Sequence, residues 1–389
     1  MRKPRDDKPQ GDSIYFFPMI TETVPMSIQR LSEELLNVTD NRRQWGHLRH
    51  KLVDILVIGF LTTVCGGEDF TDMEDFGIER RTWLDSFLEL PNGIPDSDTF
   101  RRTFERVNPQ ELADSLRDWL DIHGDRGNVV SIDGKTIRGS KSDTHKAFHV
   151  VSAFVSENRI TLGEIKTEEK SNEITAVPEL LDMLSLEGSI VTADAMSCQT
   201  KIAAKITEKQ ADYVIGLKGN QSTLRDDVER YFDNFQNECL CSKTLEKGHG
   251  RLEEREYFLE TAIGWLPQIA DWANLNAIGM VQSTVEEKGK VRTERRFFIT
   301  SLTTVEEFAR AVREHWCIEN QLHWCLDVVF REDASRAKKD NSPLNMNVMR
   351  KTALPLLQSA NFGRIGIKKK MFRAALSVTS LEYILTGKK

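Results

Sequence analysis

Three acidic residues carry the clearest chemical signal in this chain: Asp133 in VVSIDGKTIRGS, Asp194 in SIVTADAMSCQ and Glu319 in REHWCIENQLHWCLDVVF. Each aspartate closes an apolar, β-branched run, and the glutamate lies in a helical pattern. A carboxylate at the end of a buried strand is costly unless a cation pairs with it. Two strand-end carboxylates and one helix carboxylate can therefore converge on divalent metal ions. Two such ions about 3.5–4 Å apart can activate a water or a 3′-hydroxyl and stabilise the leaving oxygen of a phosphodiester. Hard oxygen ligands suit Mg²⁺, which keeps waters and needs few carboxylates; Mn²⁺ is the alternative ion. The bland reading of either aspartate is a turn former or helix cap.

Around Glu319 the residues His315, His323 and Asp327 recur at four-residue intervals, so all four share one helix face. Trp316 and Trp324 flank them. A solvated polar stripe is the plain alternative. A His-x-x-x-Glu-x-x-x-His zinc site is a third, with no further ligand to nominate.

The elements that must hold these residues follow from periodicity. Residues 1–26 form a polar tail expected to be disordered. Residues 27–125 show apolar residues at helical spacing in SIQRLSEELLNV, KLVDILVIGFLTTV and NPQELADSLRDWLDIHG, which predicts a small helical domain. At Asn128 the period changes. NVVSIDGKTIRG, KAFHVVSAFVS and RITLGEIKTEE read as three successive strands. A helix, the strand GSIVTADAM, a second helix and the strand ADYVIGLKG follow. This order predicts an α/β fold, a mixed sheet with helices on its faces, over residues 126–360. It fits an RNase H-like catalytic core. An insertion around 221–298 contains further strands that either pair as a separate sheet or extend the core. SLTTVEEFARAVREHWCIENQLHWCLDVVF is expected to be one long amphipathic helix, with Thr304 and Glu307 or Thr303 and Glu306 as its capping box. Residues 361–389 form a basic helical tail.

Apolar residues make up 39% of the chain and charged residues 29%, enough apolar content for a real core. The six cysteines form no CxxC pair and read as reduced thiols. LVDILVIGFLTTVC is too short and too polar for a membrane span, which needs about 20 apolar residues, and no signal peptide is visible. No membrane role is expected, and the location is cytoplasmic. Net charge is −7, yet residues 336–389 carry twelve Lys/Arg against two acids, which leaves −17 for the rest. An acidic body with a basic tail suits local binding of a polyanion. Candidate phosphate contacts are Lys135, Arg138, Lys218, Asn220, Gln221, His249, Arg251 and His323, which would position a nucleic-acid backbone rather than read its sequence.

The blocks IDGKTIRGS, GEIKTEEKSNEITAVPELLDML, TADAMSCQ, YVIGLKGNQ, KGHGRLEER and HWCIENQLHWCLDVVFRED, in this order, resemble the DDE-type insertion-sequence transposases. The resemblance is closest to the H-repeat-associated transposase-like proteins. It runs from about Leu31 to near the C-terminus, and HKLVDIL and NGIPDSDTFRR resemble the family's associated N-terminal domain. It implies an RNase H-like core with Asp133, Asp194 and Glu319 as the triad. The implied activity is Mg²⁺-dependent cutting at transposon ends and joining of the freed 3′-OH to target DNA. It also implies a homodimer on paired DNA ends, associated with the nucleoid when bound. Related transposases place Tyr, Arg and Lys around the glutamate. The matching positions here are Val312, His315 and Leu326, and His323 and Asp327 stand in their place. Two rival functions remain: a catalytically inactive, transposase-derived DNA-binding protein, and a nuclease that cuts without joining.

Overall fold

The computed structural model describes residues 28–42, 48–120, 128–143, 145–167, 173–248 and 251–387. The N-terminal tail and His249 lie outside them.

The helical pattern before Asn128 becomes α1 (Ile28–Leu35), α2 (Leu52–Val64), α3 (Phe70–Glu79), α4 (Arg81–Leu84), α5 (Ser97–Phe104) and α6 (Pro109–Leu120). Helix α2 is apolar on nearly every side and is buried along its length, as an all-round hydrophobic helix must be. Its neighbours include the C-terminal helices α11 (Ser342–Ser359) and α12 (Ile367–Leu376), against which α13 (Val378–Thr386) packs in turn. These bury Met349, Leu354, Leu357, Met371 and Leu385 in the same core as Ile55, Phe60, Phe104 and Trp119. The helices before Asn128 and the helices after Asn341 thus share one hydrophobic core.

Among the described residues the strands form a single nine-stranded mixed sheet, ordered β3-β2-β1-β4-β5-β9-β8-β7-β6. The strands β1 (Val129–Ile137), β2 (Phe148–Val155) and β3 (Ile160–Thr167) run antiparallel in series. After α7 (Glu173–Met183), β4 (Ile190–Ala193) pairs parallel with β1. After α8 (Thr200–Glu208), β5 (Asp212–Leu217) pairs parallel with β4. Beyond α9 (Ser222–Phe235) come β6 (Leu240–Gly248), β7 (Arg251–Glu260), β8 (Ala277–Glu287) and β9 (Lys290–Thr300). They form an antiparallel meander that joins the core through β9 and β5. The inserted strands therefore extend the core sheet. Strand β6 had no signature in the sequence: it is an almost wholly exposed edge strand, without the apolar alternation that marks a half-buried one.

Side chains alternate across the sheet. In β1, Val130 and Ile132 point to the face covered by α7 and α8. Val129 points to the opposite face, where α10 (Val305–Cys317) lies. Phe308 of α10 packs closely on that face because Gly279 has no side chain; a Cβ there would come within 2.4 Å of the tip of the Phe308 ring. Thr304 is the N-cap of α10, with its hydroxyl 2.6 Å from the Glu307 carboxylate.

The expected single long helix does not persist. After Cys317 the chain widens into two π-helical segments, Ile318–His323 and Cys325–Val329. In an α-helix each four-residue step overshoots a full turn by about 40°, so twelve residues would rotate Asp327 well away from His315. The wider i→i+5 turn removes that overshoot, and π-bulges of this kind concentrate at functional sites.

Candidate active site

The parallel register of β1 and β4 explains how two distant aspartates meet. Ile132 pairs with Ala193, the last residue of β4. Asp133 and Asp194 are the next residues on each chain. Alternation points both toward the α10 side. The order of the sheet reverses between these two strands, and that switch point is where ligand sites of open α/β sheets form. One detail differs from the expectation of two strand ends. Asp133 lies inside β1, which continues to Ile137 in its pairing with β2. What ends there is the partnership with β4.

The π-helical wall completes the site. Asp133, Asp194, His315, Glu319, His323 and Asp327 all line one cleft of about 1340 Å³. The four-residue stripe is thus a wall of the site. Within it His315 and His323 are half-buried and Glu319 is exposed to the cleft.

Local bonds fix each acid. Asp133 Oδ1 accepts from its own neighbour's N–H, Gly134, at 2.9 Å. Asp194 Oδ1 accepts from the N–H groups of Met196 and Ser197 at 2.9 and 3.3 Å. It therefore serves as the cap that the plain reading proposed while also facing the cleft. Burial pushes the Asp133 carboxyl up to about 7; the Gly134 N–H opposes this, and the Asp194, Glu319 and Glu173 charges add to it. Like charges in one cleft cannot all ionise cheaply.

The histidines are held neutral. Burial pulls His315 down to about 4, and its Nδ1 meets Thr192 Oγ1 at 2.9 Å. Thr192 in turn donates to Ser131 Oγ at 3.1 Å. Burial, with the Lys351 and Lys135 charges behind it, pulls His323 down to about 3. His323 Nδ1 lies 3.5 Å from Asp133 Oδ2, and its Nε2 is buried without a hydrogen-bond partner.

The donor set fits a divalent cation. Three hard carboxylates share one cleft, their negative charge is in surplus, and one of them is pushed toward protonation by burial, with the other two adding to it. Among the described residues no three His, Cys, Asp or Glu side chains stand close enough as placed to close around an ion. The carboxylates feel one another's field, and binding would have to draw them together.

The other sequence candidates separate clearly. Lys218 is exposed on the cleft lining. Lys135 is not available to a phosphate: it is buried, with Nζ 2.6 Å from Asp327 Oδ1 and 3.0 Å from Glu332 Oε2. Asn220 and Gln221 donate to the backbone carbonyls of Ala195 and Cys198, at 2.7 and 2.9 Å. They brace the loop after Asp194. Arg138 is exposed, 3.7 Å from Asp333, and Arg251 pairs with Glu253 at 2.7 Å; neither is among the cleft-lining residues.

The cleft also holds basic residues that the sequence reading passed over. Arg225, Arg295 and Arg296 line it, countered by Glu229 and Glu294. The Arg296 guanidinium sits 4.4 Å above the Trp316 ring, and Trp324 is 54% exposed beside it. The RRFF run in β9 was the only local signal. Its place on the cleft depends on the pairing of β9 with β5.

A mixed-sheet α/β protein with an acidic cleft at a strand switch point is the class that fold and site define. Residues 124–356 match the Transposase DDE domain family, and residues 32–120 match the DDE_Tnp_1-associated family. The chain belongs to the DDE transposase family. It is 38% identical over 379 residues to YncI of Escherichia coli O157:H7, provisionally named a transposase, covering 93% of this chain and 96% of that one. It is 36% identical over 377 residues to YhhI of Escherichia coli K12, provisionally named an H repeat-associated transposase, covering 93% and 99%. Among the described residues no helix is long and apolar enough to cross a membrane.

Proposed function

We propose that this protein is an insertion-sequence transposase that cuts phosphodiesters at transposon ends and joins the freed 3′-OH to target DNA. The observation that carries the reading is the placement of Asp133 and Asp194 side by side at the end of the β1–β4 pairing, with Glu319 on the same cleft. The order β3-β2-β1-β4-β5, with only β2 opposed to its neighbours, supports an RNase H-like core over 126–360. The helices of 27–125 would be the associated N-terminal domain and 361–389 a basic extension.

Asp133, Asp194 and Glu319 would be the residues that hold the divalent ions. Such ions, Mg²⁺ by the hardness of the donors, supply nucleophile activation and leaving-group stabilisation. The protein's own residues do the rest. His323 holds the Asp133 carboxylate from one side. His315, bonded to Thr192, anchors the start of the wall to β4. Lys218, Arg225, Arg295 and Arg296 offer positive charge to a DNA backbone, and Trp324 offers an exposed aromatic face for an unpaired base. The working unit would be a homodimer on paired ends, in the cytoplasm and on the nucleoid.

The test is cleavage of a short duplex carrying the element's ends, in Mg²⁺. Wild type should cut and give joined products. Asp133→Asn, Asp194→Asn and Glu319→Gln should each abolish cutting and keep DNA binding. Full cleavage by any one of them would sink the triad. Cutting without joined products would favour the nuclease, and DNA binding without cutting by wild type the inactive binding protein.

A further inference from the structure

We infer that Lys135 and Asp327 are a positioning pair that clamps the π-helical segment carrying Glu319 onto the strand carrying Asp133. Lys135 lies two residues after Asp133 on β1, so it projects from the same face. Its ammonium reaches Asp327 Oδ1 at 2.6 Å, eight residues beyond Glu319 on the widened helix. It also reaches Glu332 Oε2 at 3.0 Å. Glu332 is fully buried and accepts from Asn347 Nδ2 at 2.8 Å, with Arg350 3.5 Å away. Asn347 and Arg350 belong to α11, which is packed into the helical core.

The π-helical segment is thus tied, through Asp327, to a charge network that has two anchors. One is a hydrogen-bonded strand and the other a buried helix. A buried ammonium demands such partners, because an unpaired one would be costly. The network carries no exposed phosphate contact. Its chemistry is that of a clamp, and what it clamps is the distance between two of the three acids.

The inference rests on the proposed role of Asp133, Asp194 and Glu319 in cleavage, and its test separates the two. Lys135→Met, Asp327→Asn and the double variant are compared with wild type. Each single change should lower kcat about 100-fold, the cost of a misplacement of order 1 Å, with the KM for DNA unchanged. The double variant should be no slower than the slower single, because Lys135→Met already breaks the contact that Asp327→Asn removes. Lys135→Arg should recover part of the loss. Because removing a buried lysine can unfold the chain, Asp327→Asn is the primary variant: Asp327 is partly exposed. In the protein free of DNA and metal, Asp327→Asn should speed amide hydrogen exchange across 318–329 while β1 stays protected.

Unchanged exchange together with unchanged cleavage would overturn the clamp. So would additive losses. Weaker DNA binding by Lys135→Met with tighter binding by Asp327→Asn would make Lys135 a phosphate contact instead. A wild type that fails to cut, yet shows the faster exchange in Asp327→Asn, would defeat the cleavage reading and leave the clamp standing.

Discussion

His323 Nδ1 stands 3.5 Å from Asp133 Oδ2, while its Nε2 is buried with no partner. The imidazole bridges the seam between β1 and the π-helical wall. Burial holds it neutral, so it stands beside the carboxylate, placed to orient it, without adding a competing cation.

Replacing His323 by alanine should therefore lower single-turnover cleavage about 10- to 100-fold, the usual cost of losing a group that orients a metal-binding side chain. His323→Gln, which keeps a donor near Asp133, should lose less. Equal rates for both variants and wild type would make the contact incidental.

The Asp133 carboxyl, pushed by burial from the ordinary carboxylate range up to about 7, makes stability depend on pH. Between pH about 4 and 7 the unfolded chain has released this proton and the folded chain still holds it. Without metal, stability should fall as pH rises through that window, by up to about 4 kcal/mol, and level off above pH 7. Asp133→Asn should flatten the profile and raise the melting temperature at pH 8. Divalent metal competes with the same proton, so its apparent affinity should climb up to pH about 7. Melting curves from pH 4 to 8, with and without Mg²⁺, check both statements.

Gly134 lies against the buried His149–Glu173 pair, whose Nε2 and Oε1 are 2.5 Å apart. A Cβ at position 134 would come within 2.4 Å of each. Gly134→Ala should cost about 1–3 kcal/mol, as overpacking does, and displace Asp133. Denaturant unfolding measures the loss, and combining Gly134→Ala with Glu173→Ala should return part of it.

Arg296 and Lys218 belong to the cleft's basic lining. Arg296→Ala and Lys218→Ala should each weaken binding uniformly across DNA sequences. Each should also reduce the slope of log affinity against log salt by about 1, as loss of one phosphate contact does. An unchanged slope would remove that residue from the DNA path. Arg138→Ala, away from the cleft, should leave the slope as it is.

The residue pattern by itself determined which side chains could do chemistry and on what elements they sit. Asp133 and Asp194 after β-branched runs, Glu319 in a helical stripe and the β-β-β-α-β-α-β succession are all local properties, set by periods of 2 and 3.6 residues. What brought the acids together is not local. The pairing of Ile132 with Ala193 joins segments some 60 residues apart, and no single-strand pattern encodes a partner's register. The same is true of the β5–β9 pairing, which carries Arg295 and Arg296 to the cleft. Tertiary packing also decided two points that local spacing suggested wrongly. The helix after Cys317 widens to π geometry, which keeps four cleft-facing side chains on one wall. Lys135, which resembled a phosphate contact in the string IDGKT, is buried because Asp327 and Glu332, almost 200 residues further on, fold back to neutralise it.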